Sequence, residues 1–162
     1  MLKLAQEIES SVAAQRLHVA LLTALTIPDI CGAIDSKNGR SNGSKYVEWF
    51  DKYVAPEYLP SKRKYLTGDD CYKCRCNLLH QGKRTGPGRY AQYEFVFEMH
   101  TETAGFGVLR LDGGQTLLIE VPVLCRNIAY AIYDWLEVVE DAPLFKKNSA
   151  EAIRMLRLSF GP

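Results

Sequence analysis

Apolar and polar positions follow a helical period over most of this 162-residue chain, with one interruption after residue 90. From residue 2 to about 26, Ile8, Val12, Val19 and Leu22 recur at helical spacing and predict a long N-terminal helix. Between Val19 and Leu25 nearly every position is apolar or small, which predicts a central helix buried on most sides. Pro28 predicts a kink or a restart, with "DICGAID" continuing as a short second run from Asp29. The polar stretch "SKNGRSNGS" (36 to 44) reads as a loop, and Ser44 is the expected cap of the next helix, "KYVEWFDKYV". In that helix Val47, Phe50 and Val54 make the apolar face. Pro56 and Pro60 enclose an irregular basic connector ending in "SKRKYL". Thr67, or Asp69 after Gly68, is placed to cap a helix that carries "CYKCRCNLLHQ" and stops at Gly82.

The period then changes. "YEFVFEMH" sets Tyr93, Phe95, Phe97 and Met99 against Glu94, Glu98 and His100, a strand alternation. "FGVLRL", Asp112-Gly113-Gly114 and "QTLLIEV" read as a hairpin. Pro122 suits the first turn of another helix, in which Leu124, Ile128, Ile132, Trp135 and Val139 form a core stripe. A last helix is expected from near Ser149, carrying Ile153, Leu156 and Phe160. The expected architecture is mainly α: a bundle of about 4–5 helices in a single domain over residues 1–162, with a small antiparallel β-hairpin or sheet inserted near residues 93–121.

Composition adds exclusions. The apolar fraction is 47% and the charged fraction 24%, as in ordinary globular chains. A net charge of +1 gives no overall pull towards nucleic acid or membrane, although a local basic patch is compatible with it. No apolar run reaches the ~20 residues of a membrane span, and the N-terminus has acids where a signal peptide needs an apolar core. Five cysteines, three of them within residues 71 to 76, fit a cytoplasmic protein with reduced thiols better than a disulfide framework.

The stretch "CYKCRCNLLHQG", Cys71 to Gly82, concentrates the chemistry. As zinc ligands, Cys71, Cys74, Cys76 and His80 have suitable donor types. On a helix, however, about 100° of rotation per residue sets the first two roughly opposite the last two, so the four cannot converge, and no metal or cofactor is expected. Buried packing is the favoured role of Cys71, Cys74 and Cys76, as is a satisfied core position for His18. "HQGKRTG" only echoes a phosphate loop: Asn77 stands where a glycine is required, and Arg84 follows Lys83 where Ser or Thr is required. Arg75 and His80 form the third reading. Imidazole gives and takes protons near pH 7, and guanidinium matches phosphate oxygens in a fork, as metal-independent RNA cleavage needs. At i, i+5 the two lie about 140° apart around the helix, so one helix alone directs them poorly at one phosphate. Two copies across a two-fold axis would complete a cleft. The bland reading pairs Arg75 with Asp69, Asp70 or a carboxylate on another helix, and lets His80 serve its own helix C-terminus.

"RCNLLHQG", Arg75 to Gly82, resembles the R-x4–6-H signature of HEPN domains, and the surrounding helical order resembles their bundle. The resemblance implies a homodimer through the motif-bearing helix and, as in many members, metal-independent endoribonuclease activity of toxin or defence type. A nucleotidyltransferase antitoxin is then a conceivable partner. By position, Arg75 would steady phosphate charge and His80 would act as acid or base. Cys76 stands where active members often have a polar residue, and polar Asn77 follows it; both are assigned supporting positions. Lys64, Lys83, Arg84 and Arg89 flank the motif, with Lys62 and Arg63 beside them, and would supply an RNA-attracting rim if they fold onto one side. Some members of the family are binding or scaffold domains only, so a non-catalytic module for RNA, a nucleotide or a protein partner is the alternative.

Overall fold

A computed structural model describes residues 1–58, 66–83, 90, 92–97, 106–111 and 114–150. The order is α1 (Leu2–Ala13), α2 (Leu17–Ile34), α3 (Gly43–Tyr53), a short 3-10 turn (Ala55–Tyr58), α4 (Gly68–Gln81), β1 (Gln92–Val96), β2 (Phe106–Leu111), β3 (Gly114–Glu120), α5 (Val121–Val139) and α6 (Pro143–Ala150). The chain is mainly α with a small β insertion, as the periodicity predicts, with six α-helices among the described residues.

The long first helix is in fact two. After Ala13 the chain turns through Gln15, whose φ of 57° lies in the left-handed region, and Arg16 N–H closes the turn on Ser11 O at 2.8 Å. This elbow resets the helical phase. Val19 and Leu22, expected in the core with Ile8 and Val12, come out 55% and 44% exposed. His18, expected in the core, is exposed as well, and its ring stacks on Phe97 with centroids 4.3 Å apart.

Pro28 does not end α2, which runs through "DICGAI" to Ile34. Over 18 residues its mean hydropathy is 1.7, so by length and composition alone it is apolar enough to cross a membrane, although it falls short of the ~20-residue run sought in the sequence. The bundle accounts for that apolarity. Ala20, Leu21, Ala24, Leu25, Ile27 and Cys31 are all buried among α1, α3 and α5.

Asn42 rather than Ser44 caps α3: its side chain accepts from Lys45 N–H at 3.0 Å. The buried face of α3 is Tyr46, Trp49 and Phe50, with Val47 only half-buried. Thr67 caps α4 through a reciprocal box. Asp70 N–H donates to Thr67 Oγ1 at 3.2 Å, and Thr67 N–H donates to Asp70 Oδ2 at 3.1 Å. Gly82, at φ 61°, ends α4 in the left-handed conformation where glycine has no Cβ penalty.

The three strands form one sheet in the order β1-β3-β2. The expected hairpin is present: β2 and β3 are antiparallel, with Leu111 opposite Gly114. The sheet is not wholly antiparallel, because β1 joins β3 in parallel, with Tyr93 opposite Leu117 and Phe95 opposite Ile119. Residues 98 to 100 of the expected first strand, Asp112 and Gly113 of the turn, and the helix expected beyond residue 150 lie outside the described residues. Glu120 leads straight into α5, with Pro122 in its first turn. Leu124, Ile128, Ile132 and Trp135 fill the core as predicted, while Val139 is half-buried at its edge.

Candidate functional site

α4 lies against α3 and α2 with a sharp division of its faces. Asp70, Cys71, Cys74 and Asn77 are buried. Tyr72, Arg75, Cys76, Leu79 and His80 occupy the opposite arc of about 140° at 100° per residue, and of these only His80 is fully exposed.

Arg75 is the centre of the site. Its Nη2 is 2.5 Å from Asp29 Oδ2 on α2, an ion pair in which the two side chains keep 19% and 22% of their surface exposed. Its Nη1 is 3.1 Å from His80 Nε2. Guanidinium has no lone pair to offer, so Nη1 donates, Nε2 accepts, and the imidazole proton sits on Nδ1. The arm also passes Cys76, with Nη1 3.7 Å from Sγ. Burial works against the charge on Arg75, but the Cys76 contact and the neighbouring Asp29 outweigh it and leave its pKa raised further.

The sequence argument held that one helix directs Arg75 and His80 poorly at a common point. The structure corrects it: the long guanidinium arm sweeps back across Cys76 and spans the angular gap within one chain. The pairing of Arg75 with a carboxylate on another helix is also realised, and that carboxylate is Asp29. Asp29 was read only as the start of a short helical run. Its signal was available, since it is the sole Asp, Glu, Lys or Arg in the 18 residues of α2. Tyr72, also not singled out, joins the cluster. The neighbouring Cys76 pushes the Tyr72 hydroxyl upward.

The other predicted residues separate. Cys76 is half-buried beside Arg75, whereas Asn77 is buried on the far side of α4. Lys83 is exposed just past Gly82, and its N–H bonds Asn77 O at 3.1 Å. Lys64, Arg84 and Arg89, with Lys62, Arg63 and His100, lie outside the described residues. Cys71 and Cys74 turn into the core. Burial pushes Cys71 up to about 12, against a hydrogen-bonding Tyr46 hydroxyl that lowers it, and burial raises Cys74 well above the usual thiol range. Both face the core, on the side of α4 away from Cys76 and His80, the other two donors of the zinc reading. Among the described residues, no group of three or more His, Cys, Asp or Glu is arranged to hold a metal ion.

The cluster can therefore present an imidazole and a fixed cation side by side at a surface, with the cation anchored from behind by a carboxylate. No protein-family model, no curated protein and no solved structure matches the chain.

Proposed function

We propose that this chain is a HEPN-like, metal-independent endoribonuclease of toxin or defence type, acting as a cytoplasmic homodimer with Arg75 and His80 in its cleavage site. The supporting observation is the 3.1 Å contact between Arg75 Nη1 and His80 Nε2 on the outer face of α4. In this reading a phosphodiester displaces the Arg75–His80 hydrogen bond. His80 Nε2 then takes the proton from a ribose 2′-OH as the 2′-oxygen attacks phosphorus. Arg75 donates to the phosphorane oxygens that gather negative charge. The bond to the 5′-oxygen breaks, and that oxygen takes up a proton from a second imidazole or from water. The products are a 2′,3′-cyclic phosphate and a 5′-hydroxyl.

The test is incubation of bulk RNA with wild type, His80→Ala and Arg75→Ala in chelator. Wild type is expected to cleave, and each variant to be at least about 100-fold slower, the usual scale for removing an acid–base group. Equal survival of RNA with all three proteins removes the reading. The Asp29–Arg75 ion pair favours a second one, a module that binds RNA without cutting it, because a guanidinium already paired with a carboxylate has less charge to give a transition state. RNA retained by wild type and recovered uncut would select that alternative.

A further inference from the structure

A cleft of about 350 Å³ opens between α1 and α5 beside the end of β1, and it shares no residue with the Arg75–His80 cluster. From α1 it takes Glu9, Val12 and Ala13, spaced i, i+3 and i+4 on one face. From α5 it takes Pro122, Arg126 and Tyr130, which recur every four residues and drift through only about 80° around the helix. The elbow that ends α1 brings Gln15 to the same cleft. Phe97 adds a ring, and the His18 ring stacked on it at 4.3 Å holds it in place.

Val12 and Pro122 are buried and give the cleft an apolar floor. Glu9 is half-buried beside them. Its Oε2 accepts from the Tyr133 hydroxyl at 3.0 Å. Among the described residues no Lys, Arg or His forms an ion pair with it. A carboxylate has about four lone-pair sites on its two oxygens, and one neutral hydroxyl uses only one of them. Glu9 therefore brings unspent acceptor capacity and a whole negative charge to a cleft with an apolar floor. Tyr130 lines the same cleft yet keeps 54% of its surface exposed, an aromatic face at hand for a ligand. Arg126, half-buried, carries five N–H donors, more than a single partner can use.

The volume lies at the small end of the ligand-pocket range of about 300–1,000 Å³, room for one ring system and not for a long chain. Aromatic side chains receive flat bases by stacking. The carboxylate selects among them, because it is matched by two donors side by side. Of the four RNA bases only guanine offers that pair, N1–H next to N2–H. Uracil sets its single N–H between two carbonyls, which a carboxylate repels. Adenine and cytosine each set an amino group beside an acceptor nitrogen. Guanine also presents O6 and N7 together, the acceptor pair that a guanidinium fork takes.

We propose that the α1–α5 cleft binds a guanine base, with Glu9 accepting from its N1–H and N2–H and with Tyr130 and Phe97 against its ring. The site is separate from RNA cleavage and stands whether or not the Arg75–His80 cluster cuts. The base can arrive as a free guanine nucleotide or within an RNA strand, and the chemistry of recognition is the same.

Calorimetry on wild type and on Arg75→Ala tests this. Guanosine 5′-monophosphate should bind both proteins at least about tenfold more tightly than the adenosine, cytidine and uridine monophosphates, the scale of a charge-assisted pair of hydrogen bonds. Glu9→Gln should abolish that preference with an unchanged far-ultraviolet spectrum, because an amide sets its own N–H against those of the base. Tyr130→Ala, at an exposed position, should weaken binding at least about fivefold through lost stacking. Two 2′-O-methyl hexamers, which cannot be cut, separate the sources: five uridines with one guanosine, and uridine throughout. Tight binding of the mononucleotide assigns the cleft to a free guanine nucleotide. Binding of the guanosine-containing hexamer without the mononucleotide assigns it to guanine in a strand, and either result supports the proposal. No binding by any of these probes overturns it. So does equal binding of the four mononucleotides and of the two hexamers, or a guanine preference that survives Glu9→Gln. Failure of the nuclease reading shows instead as uncut bulk RNA and leaves these affinities unchanged.

Discussion

Asp29 Oδ2 and Arg75 Nη2 stand 2.5 Å apart across α2 and α4, and the same guanidinium reaches His80 Nε2 with its other terminal nitrogen. One planar fork thus ties a core helix to the site helix and orients the imidazole. Asp29→Ala leaves that guanidinium without its anion. Because both side chains remain about one-fifth exposed, water screens the loss. The expected cost is about 1–2 kcal/mol, below the 3–5 kcal/mol of a fully buried pair. Arg75→Lys should cost nearly as much, since one ammonium cannot point at Asp29 and His80 together. Urea midpoints for Asp29→Ala, Arg75→Ala and the double variant check this. Single-variant losses that simply add would mean the two residues do not interact.

Gly68 opens α4 against the backbone of α3. A Cβ at this position would lie 2.6 Å from Val47 O and 2.8 Å from Val47 Cα, atoms that no rotamer change can move. Its N–H also donates to Asp51 Oδ1 at 2.8 Å. Gly68→Ala must push the two helices apart, at an expected cost of about 2–3 kcal/mol from overpacking. Gly82→Ala is the instructive contrast. Nothing lies within 4 Å of a Cβ there, so its cost comes from the left-handed φ of 61° alone and should be about 1 kcal/mol. Thermal midpoints of the two variants rank the effects, and a Gly68→Ala protein as stable as Gly82→Ala would show that the α3–α4 contact is not tight.

Helix spacing made much of this legible. The stripe from Leu124 to Trp135 fills the core, and the Thr67 cap and Gly82 stop bound α4 as read. The misread positions share a cause: a local pattern says nothing about phase across a break. Gln15 turns left-handed with no glycine to announce it, and that single residue rotates Val19 and Leu22 from core to surface. The parallel β1–β3 pairing is likewise invisible to alternation, which fixes what faces where but not which strand lies beside which. At the site, Arg75 and His80 were found because residue type and spacing carry their chemistry. Their contact was not, because angular positions on a helix ignore the reach of an arginine arm. Asp29 required tertiary structure to be connected with either, 46 residues away in sequence from Arg75.

Asp35 supplies a pH dependence of defined sign. Its Oδ2 accepts from Trp135 Nε1 at 2.9 Å, joining the end of α2 to α5. Burial raises the pKa of this carboxyl from 3.8, and the indole N–H and Lys52 only partly oppose that shift. A group that ionises less readily folded than unfolded holds more protons in the native state. Its contribution is therefore fully present below the unfolded pKa near 3.8 and is lost as pH rises through the folded value. Asp35→Asn keeps an oxygen to accept from Trp135 and cannot ionise. Relative to this variant, wild type should lose stability as pH is raised from about 3 to about 6, the range through which a raised carboxylate titrates. Urea midpoints of both proteins across that range give the difference directly. A wild type that gains on the variant with rising pH would mean that the Trp135 hydrogen bond, and not burial, dominates at Asp35.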